Sequence, residues 1–274
     1  MPTKSRDRKK KDENDFNDLK KSMNVDSILN IKKDIESFIP NDIRLQAKND
    51  SQVKLINSIK NNEITICAGS PGSGKTFVAV SQALTMLRKA TSPYKKIYLV
   101  KSVTPLKNEE LGYLKGGLMD KIEPFMWSFY LNIEKIVSEE SLKSLLEKNI
   151  IRPFPIAYMR GVTIDDSIVI IDEVQNITID NIKTIMTRIG SNCKYVLLGD
   201  RNQIDLKTKS DSSLNHLIKM FDDVEKIGVI EMSNDDENIR NPIIKIIEEK
   251  FNIHEKEMNE LRASHLKQKK ENGK

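Results

Sequence analysis

Between two charged ends, apolar residues fall into short unbroken runs that alternate with stretches of helical spacing. The runs at 64–68, 96–101, 151–156, 167–171, 194–198 and 227–232 are rich in Ile, Val and Leu and predict strands. Helical periodicity predicts helices at 75–89, 132–148, 179–189, 213–220 and 242–251. Thr178 stands where a cap is wanted before the third of these, and Asn241-Pro242 places a cap and then a proline at the start of the last. Continuous apolar strands need both faces covered. The pattern therefore predicts a mostly parallel sheet with helices on both sides, a doubly wound α/β fold in one domain. Ligands of such folds bind beyond the carboxyl ends of the strands. A weaker helical pattern runs from about 25 to 38 and stops before Pro40.

The ends differ in kind. Residues 1–24 are mostly polar or charged and include Arg8-Lys9-Lys10-Lys11. Such a segment cannot bury enough apolar surface to offset its ordering entropy, so a disordered basic tail is expected. Residues 253–274 are charge-rich again and are expected to fray from helix into tail, leaving 25–252 as the folded domain. Of the 274 residues 38% are hydrophobic and 31% charged, a balance that predicts a soluble cytoplasmic protein. Abundant Lys, Asn and Ile point to an AT-rich bacterial or viral gene, and for a viral one the cytoplasm is the host's. No apolar run approaches the ~20 residues a bilayer crossing needs, so no membrane partner is expected. The net charge of +5 permits a nucleic-acid partner without demanding one. Cys67 and Cys193 lie in separate apolar stretches and read as buried thiols of a reducing compartment.

The chemistry begins after the first strand. Gly69-Ser70-Pro71-Gly72-Ser73-Gly74-Lys75-Thr76 joins that strand to a helix, the context a phosphate-binding loop requires. Its glycines allow backbone angles and a close approach that a Cβ would block. Amide hydrogens can then converge on phosphate oxygens at a helix N-terminus, where the dipole favours negative charge. Lys75 is placed for the β- and γ-phosphates and the Thr76 hydroxyl for Mg²⁺. Binding of a nucleoside triphosphate is the expectation.

The run 168–171 ends in Asp172-Glu173. Unpaired acids at the end of a buried strand are costly, so these two are expected to work. Asp172 reads as support for Mg²⁺, and Glu173 as the base that orients and deprotonates an attacking water. The next strand ends in Gly199-Asp200-Arg201-Asn202-Gln203, and this turn should neighbour both the phosphates and the acids. Gln203 can report a γ-phosphate through its amide; a polar turn closed by an Asx cap is the plainer reading. Upstream, Gln52 follows the polar stretch 48–51. A glutamine amide suits the edge of adenine, although an isolated glutamine is ordinarily a surface residue.

In combination, GSPGSGKT, IVIIDEVQN (168–176) and LGDRNQID (198–205) resemble the PhoH family of ATPases, as do LGYLKGGLMDKIEPF (111–125) and PIAYMRGVTIDDS (155–167). The similarity runs from about 52 to 251. Members of that family are similar in turn to the first motor domain of superfamily 1 helicases, a RecA-like P-loop NTPase. The resemblance implies that Gln52 reads adenine and that Gln203 is the γ-phosphate sensor. It also implies that Arg240, in ENIRNPIIKII, approaches the γ-phosphate as an arginine finger from its own or a neighbouring subunit. A surface arginine ahead of a capped helix is the plainer reading of that residue. Mg²⁺-dependent ATP hydrolysis is the expectation from the motifs, and its coupling to RNA or single-stranded DNA is what the resemblance implies. The single motor domain further suggests a homo-oligomeric ring, a hexamer, to close the site. Two stretches depart from the family pattern. Lys101-Ser102 replaces Arg-Pro, which keeps a cation but loses a bidentate fork, and Leu114-Lys115-Gly116-Gly117 replaces Pro-Gly-Asp. A second reading makes the chain an ATP-dependent interaction switch with low turnover. There nucleotide would order the loop 101–125 and present Tyr113, Phe125, Trp127, Phe129 and Tyr130, a set more often found as helix core.

Overall fold

The computed structural model describes residues 28–102 and 118–232, with scattered helical positions between 243 and 260. Helices α1 (Ile28–Phe38) and α2 (Asp50–Asn61) precede strand β1 (Ile64–Ala68). Then come α3 (Lys75–Arg88), β2 (Lys96–Lys101), α4 (Leu118–Ile133), α5 (Glu139–Glu147) and β3 (Ile151–Pro153). The order closes with β4 (Ser167–Asp172), α6 (Ile179–Met186), β5 (Cys193–Gly199), α7 (Ser213–Phe221) and β6 (Ile227–Glu231). The strands form one sheet of order β3-β2-β4-β5-β1-β6 in which every pairing is parallel.

Successive side chains of a strand point to opposite faces, and β4 shows why its central run, residues 168–171, is apolar throughout. Ile168 and Ile170 pack into a layer with residues of α1 to α5, while Val169 and Ile171 pack with α6 and α7. All four are fully buried. The result is the expected doubly wound α/β domain. Cys67 and Cys193 are both buried and free, one in each layer. Among the described residues, no helix is long and apolar enough to cross a membrane.

Several boundaries moved for identifiable reasons. The predicted strand 151–156 stops at Pro153, because prolines at 153 and 155 each remove a ladder donor and a 3₁₀ turn (Ile156–Met159) takes over. The predicted helix 132–148 is two helices. Ser138 ends the break between them, its Oγ accepting the Ser141 N–H at 3.2 Å to cap α5. Helix α4 starts well upstream, in what reads as the loop 101–125, and carries Pro124 within it. Helix α2 lies where the sequence suggests only a polar stretch; the Asn49 side chain starts it by accepting the Gln52 N–H at 2.9 Å. Thr178 occupies the N-cap of α6 as expected, but its side chain makes no capping bond. Asn241-Pro242 and the tail 1–24 lie outside the described residues. So does most of 253–274, whose described positions are helical.

The strand order decides what meets at the carboxyl edge. Strand β5 lies between β1 and β4, so the turn after it sits between the loop after β1 and the acids that end β4. That adjacency is the one the sequence led us to expect.

Candidate nucleotide site

The loop after β1 is held open for ligands by its glycines. Gly72 and Gly74 have φ of 82° and 86°, a left-handed backbone that costs a residue with a Cβ. At Gly69 the constraint is space: a Cβ would stand 2.9 Å from that of Met232. The loop is anchored by the Gly69 N–H donating to Gly199 O at 3.1 Å, and by Ser73 Oγ donating to Ser70 O at 2.9 Å. Lys75 is buried at the first position of α3. Its ammonium donates to Gly69 O (2.7 Å), Ser70 O (2.8 Å) and Ser73 Oγ (3.3 Å), and so is fixed above the loop.

Thr76 Oγ1 donates to Asp172 Oδ2 at 3.1 Å, joining loop and acid across 96 residues of sequence. The other oxygen of Asp172 accepts the Glu173 N–H at 3.0 Å. Glu173 has φ 59° and ψ 39°, a left-handed conformation uncommon for a residue with a side chain and typical of strained functional turns. The two adjacent acids consequently hold different partners: Asp172 faces Thr76, and Glu173 Oε2 accepts Gln175 Nε2 at 2.5 Å. Burial, and then the neighbouring Asp172 charge, push the Glu173 carboxyl above its ordinary pKa, against the opposing pull of Gln175, Lys101 and Lys75.

A cleft of about 700 Å³ opens over these groups. The structure brings Gln52, Lys75, Thr76, Asp172, Glu173 and Gln203 to its wall, with Pro71, Gly72 and Gly74 of the loop. Gln203 is exposed there, and its N–H closes the turn onto Asp200 O at 3.4 Å. Gln52 is 3% exposed, which removes the surface reading. Its Nε2 donates to Ser73 O at 2.9 Å and its Oε1 accepts the Lys48 N–H at 2.9 Å, so it braces the phosphate loop. Each end retains capacity for one more bond, since an amide carries two hydrogens and its oxygen two lone pairs. Arg240 lies outside the described residues.

Other groups stand at the site that the sequence did not assign to it. Lys101 Nζ donates to Ser128 Oγ at 3.1 Å, tying the end of β2 to α4, and both line the cleft. Gln175 and Asn176, buried just beyond the acids, bind the turn after β5. Their one signal in the sequence is a pair of amides just past the acidic strand end, with Val174 between. The described members of the aromatic set differ in exposure. Phe129 is fully buried while Trp127 is 60% exposed, and Tyr113 lies outside the described residues.

The sequence model of the family described as PhoH-like protein matches residues 44–252. This chain belongs to that family. A PhoH-like protein of Bacillus subtilis is 34% identical over 205 residues, covering 74% of this chain and 63% of its own length. One from Mycobacterium tuberculosis is 31% identical over 192 residues, covering 70% and 54%. Protein PhoH of Escherichia coli is 26% identical over 234 residues, covering 85% and 64%. The chain thus spans between half and two thirds of these relatives. Among solved structures, the large terminase of a thermophilic bacteriophage aligns over 73% of this chain and 49% of its own. The two share 13% identity at a TM-score of 0.40. In this PhoH-like chain the glycine-rich loop after β1 and the acids at the end of β4 line one cleft.

Proposed function

We propose that this PhoH-like protein binds ATP with Mg²⁺ in the cleft and hydrolyses it. The observation that carries the reading is the Thr76–Asp172 contact, because it places the loop hydroxyl and the strand-end carboxylate together beside Lys75. These oxygens suit Mg²⁺, a hard ion that takes one or two protein ligands and completes its shell with water and phosphate. Thr76 and Asp172 would hold the ion, which when bound neutralises charge on the phosphate oxygens. The residues 69–74 offer amide hydrogens to the phosphates and Lys75 its ammonium. Gln52 has bonding capacity left for an adenine edge, and Gln203 stands free to meet the γ-phosphate.

Glu173 is the base in this reading. A water oxygen bonds to the γ-phosphorus as the bond to the β–γ bridging oxygen breaks. The water's proton passes to the carboxylate, and ADP and phosphate leave. Glu173→Gln should therefore keep ATP affinity within about twofold while turnover falls by about 10²–10⁴, the usual contribution of a general base. Binding by fluorescent ATP analogue and turnover by phosphate release measure the two. A near-normal turnover number places the base elsewhere.

Coupling to RNA or single-stranded DNA, in the cytoplasm, is the further part of the proposal and rests on the helicase-like motifs. Steady-state turnover with and without single-stranded RNA tests it, with stimulation of about tenfold or more expected for a motor. A flat, near-zero rate accompanied by ATP-dependent partner capture would instead support the switch. The exposed Trp127 on α4, one residue from cleft-lining Ser128, is the observation that keeps that second reading in view.

A further inference from the structure

Gln175 is among the most buried polar side chains of the domain, at 1% exposure, and both of its amide hydrogens are used. One amide group spans three backbone or side-chain partners. Nε2 donates to Glu173 Oε2 at 2.5 Å and to the backbone oxygen of Gln203 at 3.1 Å. Oε1 accepts the Asp200 N–H at 3.0 Å. Residue 199 is shaped to admit it: a Cβ on Gly199 would stand 2.7 Å from Gln175 Oε1. A second tie runs alongside, where Asn176 Oδ1 accepts the Asp205 N–H at 2.7 Å.

A buried amide that needs only satisfaction can find it in one strand or turn. This one instead divides its two hydrogens between a carboxylate and the turn that carries the exposed Gln203. A hydrogen bond to a carboxylate is directional and strong, so it fixes where the Glu173 oxygens point. Because the same nitrogen holds the Gln203 backbone, a shift of that turn on meeting a γ-phosphate must be shared by the carboxylate or break a bond.

We infer that Gln175 is a positioning residue that couples the γ-phosphate-sensing turn to the hydrolytic glutamate, so that Glu173 is correctly aimed only when Gln203 is engaged. This rests on the reading of Glu173 as base and Gln203 as sensor. Gln175 touches no reacting atom; it acts through the two residues it joins. The chemistry of the site would then depend on the terminal phosphate being present before the base is set.

Gln175→Met keeps length and apolar volume while removing every hydrogen bond. Gln175→Glu keeps the acceptor for the Asp200 N–H but offers no donor. Both should hold ADP and a non-hydrolysable ATP analogue within about twofold of wild type and lower kcat by about 10²-fold, the scale of misplacing a reacting group by an ångström. The coupling appears in a double-mutant cycle. Gln203→Ala should slow wild-type hydrolysis clearly, yet cost less than twofold more in the Gln175→Met background. In single-turnover assays, adding Gln175→Met to Glu173→Gln should likewise change little. A purely structural amide predicts otherwise: lower nucleotide affinity and full multiplication of both effects. Either that result, or a kcat within twofold of wild type in folded Gln175→Met and Gln175→Glu proteins, overturns the inference. If Met at 175 prevents folding, as read by circular dichroism, the Gln175→Glu protein carries the same tests. Failure of the underlying reading is separate, since it would show as normal turnover in Glu173→Gln alone.

Discussion

Lys75→Ala protein should fold, lose measurable ATP turnover and bind ATP far more weakly. The ammonium is buried and held by three oxygens of the loop, so it is delivered to the phosphates without a search through rotamers. Truncating one partner of a desolvated charge pair costs about 2–5 kcal/mol. That corresponds to a dissociation constant about 30- to 4,000-fold higher. The same substitution frees Gly69 O and Ser70 O, but both can be met by water at the mouth of an open cleft, which keeps the cost to the fold small. Calorimetric titration with ATP and Mg²⁺ measures the affinity and thermal melting the fold. Undiminished affinity in a folded variant would mean that the loop is not a phosphate site.

Arg240→Ala is expected to leave ATP affinity almost intact and to cut turnover by about 10³–10⁵-fold, the worth of an arginine finger. The motivation is its place in ENIRNPIIKII together with the chain's single phosphate-loop sequence at 69–76. If a neighbouring subunit supplies the arginine, mixing Arg240→Ala with Lys75→Ala protein should restore part of the activity. A mixed interface can then join an intact loop from one variant to an intact arginine from the other. An arginine serving its own chain allows no such rescue, because every subunit keeps one fatal lesion. Lack of rescue, with subunit exchange shown by light scattering or labelled protein, would remove the shared site and the ring built on it.

The parts of this molecule that were legible beforehand are those whose determinants are local. Strands β1 and β2 begin and end where the sequence runs predict, because a strand buried on both faces is mostly apolar, and the one polar side chain inside β1, Thr65, is met by Ser58 Oγ at 3.0 Å. The phosphate loop was legible because its geometry is written in glycines. What stayed hidden depends on partners far along the chain or on competing local signals. Pro124 and the paired glycines before α4 argue for a loop, and only packing of Ile122, Met126 and Phe129 against the sheet layer overrides them. Helix α2 was signalled by Asn49 and Gln52, a cap and its third-position glutamine, but a polar first turn masked the periodicity. Gln52 is a candidate for the adenine edge from the sequence, and the structure adds its bonds to Ser73 O and the Lys48 N–H. Gln175 was invisible for a deeper reason, since its three partners lie on two segments that meet only after the sheet assembles.

Strand β5 has a further consequence for how the domain can come apart. Its carboxyl end accepts the Gly69 amide on one side and, through the Asp200 amide, holds Gln175 on the other. Local opening of a protein proceeds in contiguous cooperative units rather than bond by bond. Release of this single strand end would therefore slacken the anchor of the phosphate loop and the support of Glu173 in one event. On the proposed reading, the grip on the phosphates and the aim of the base would then be lost together, when the end of β5 lets go.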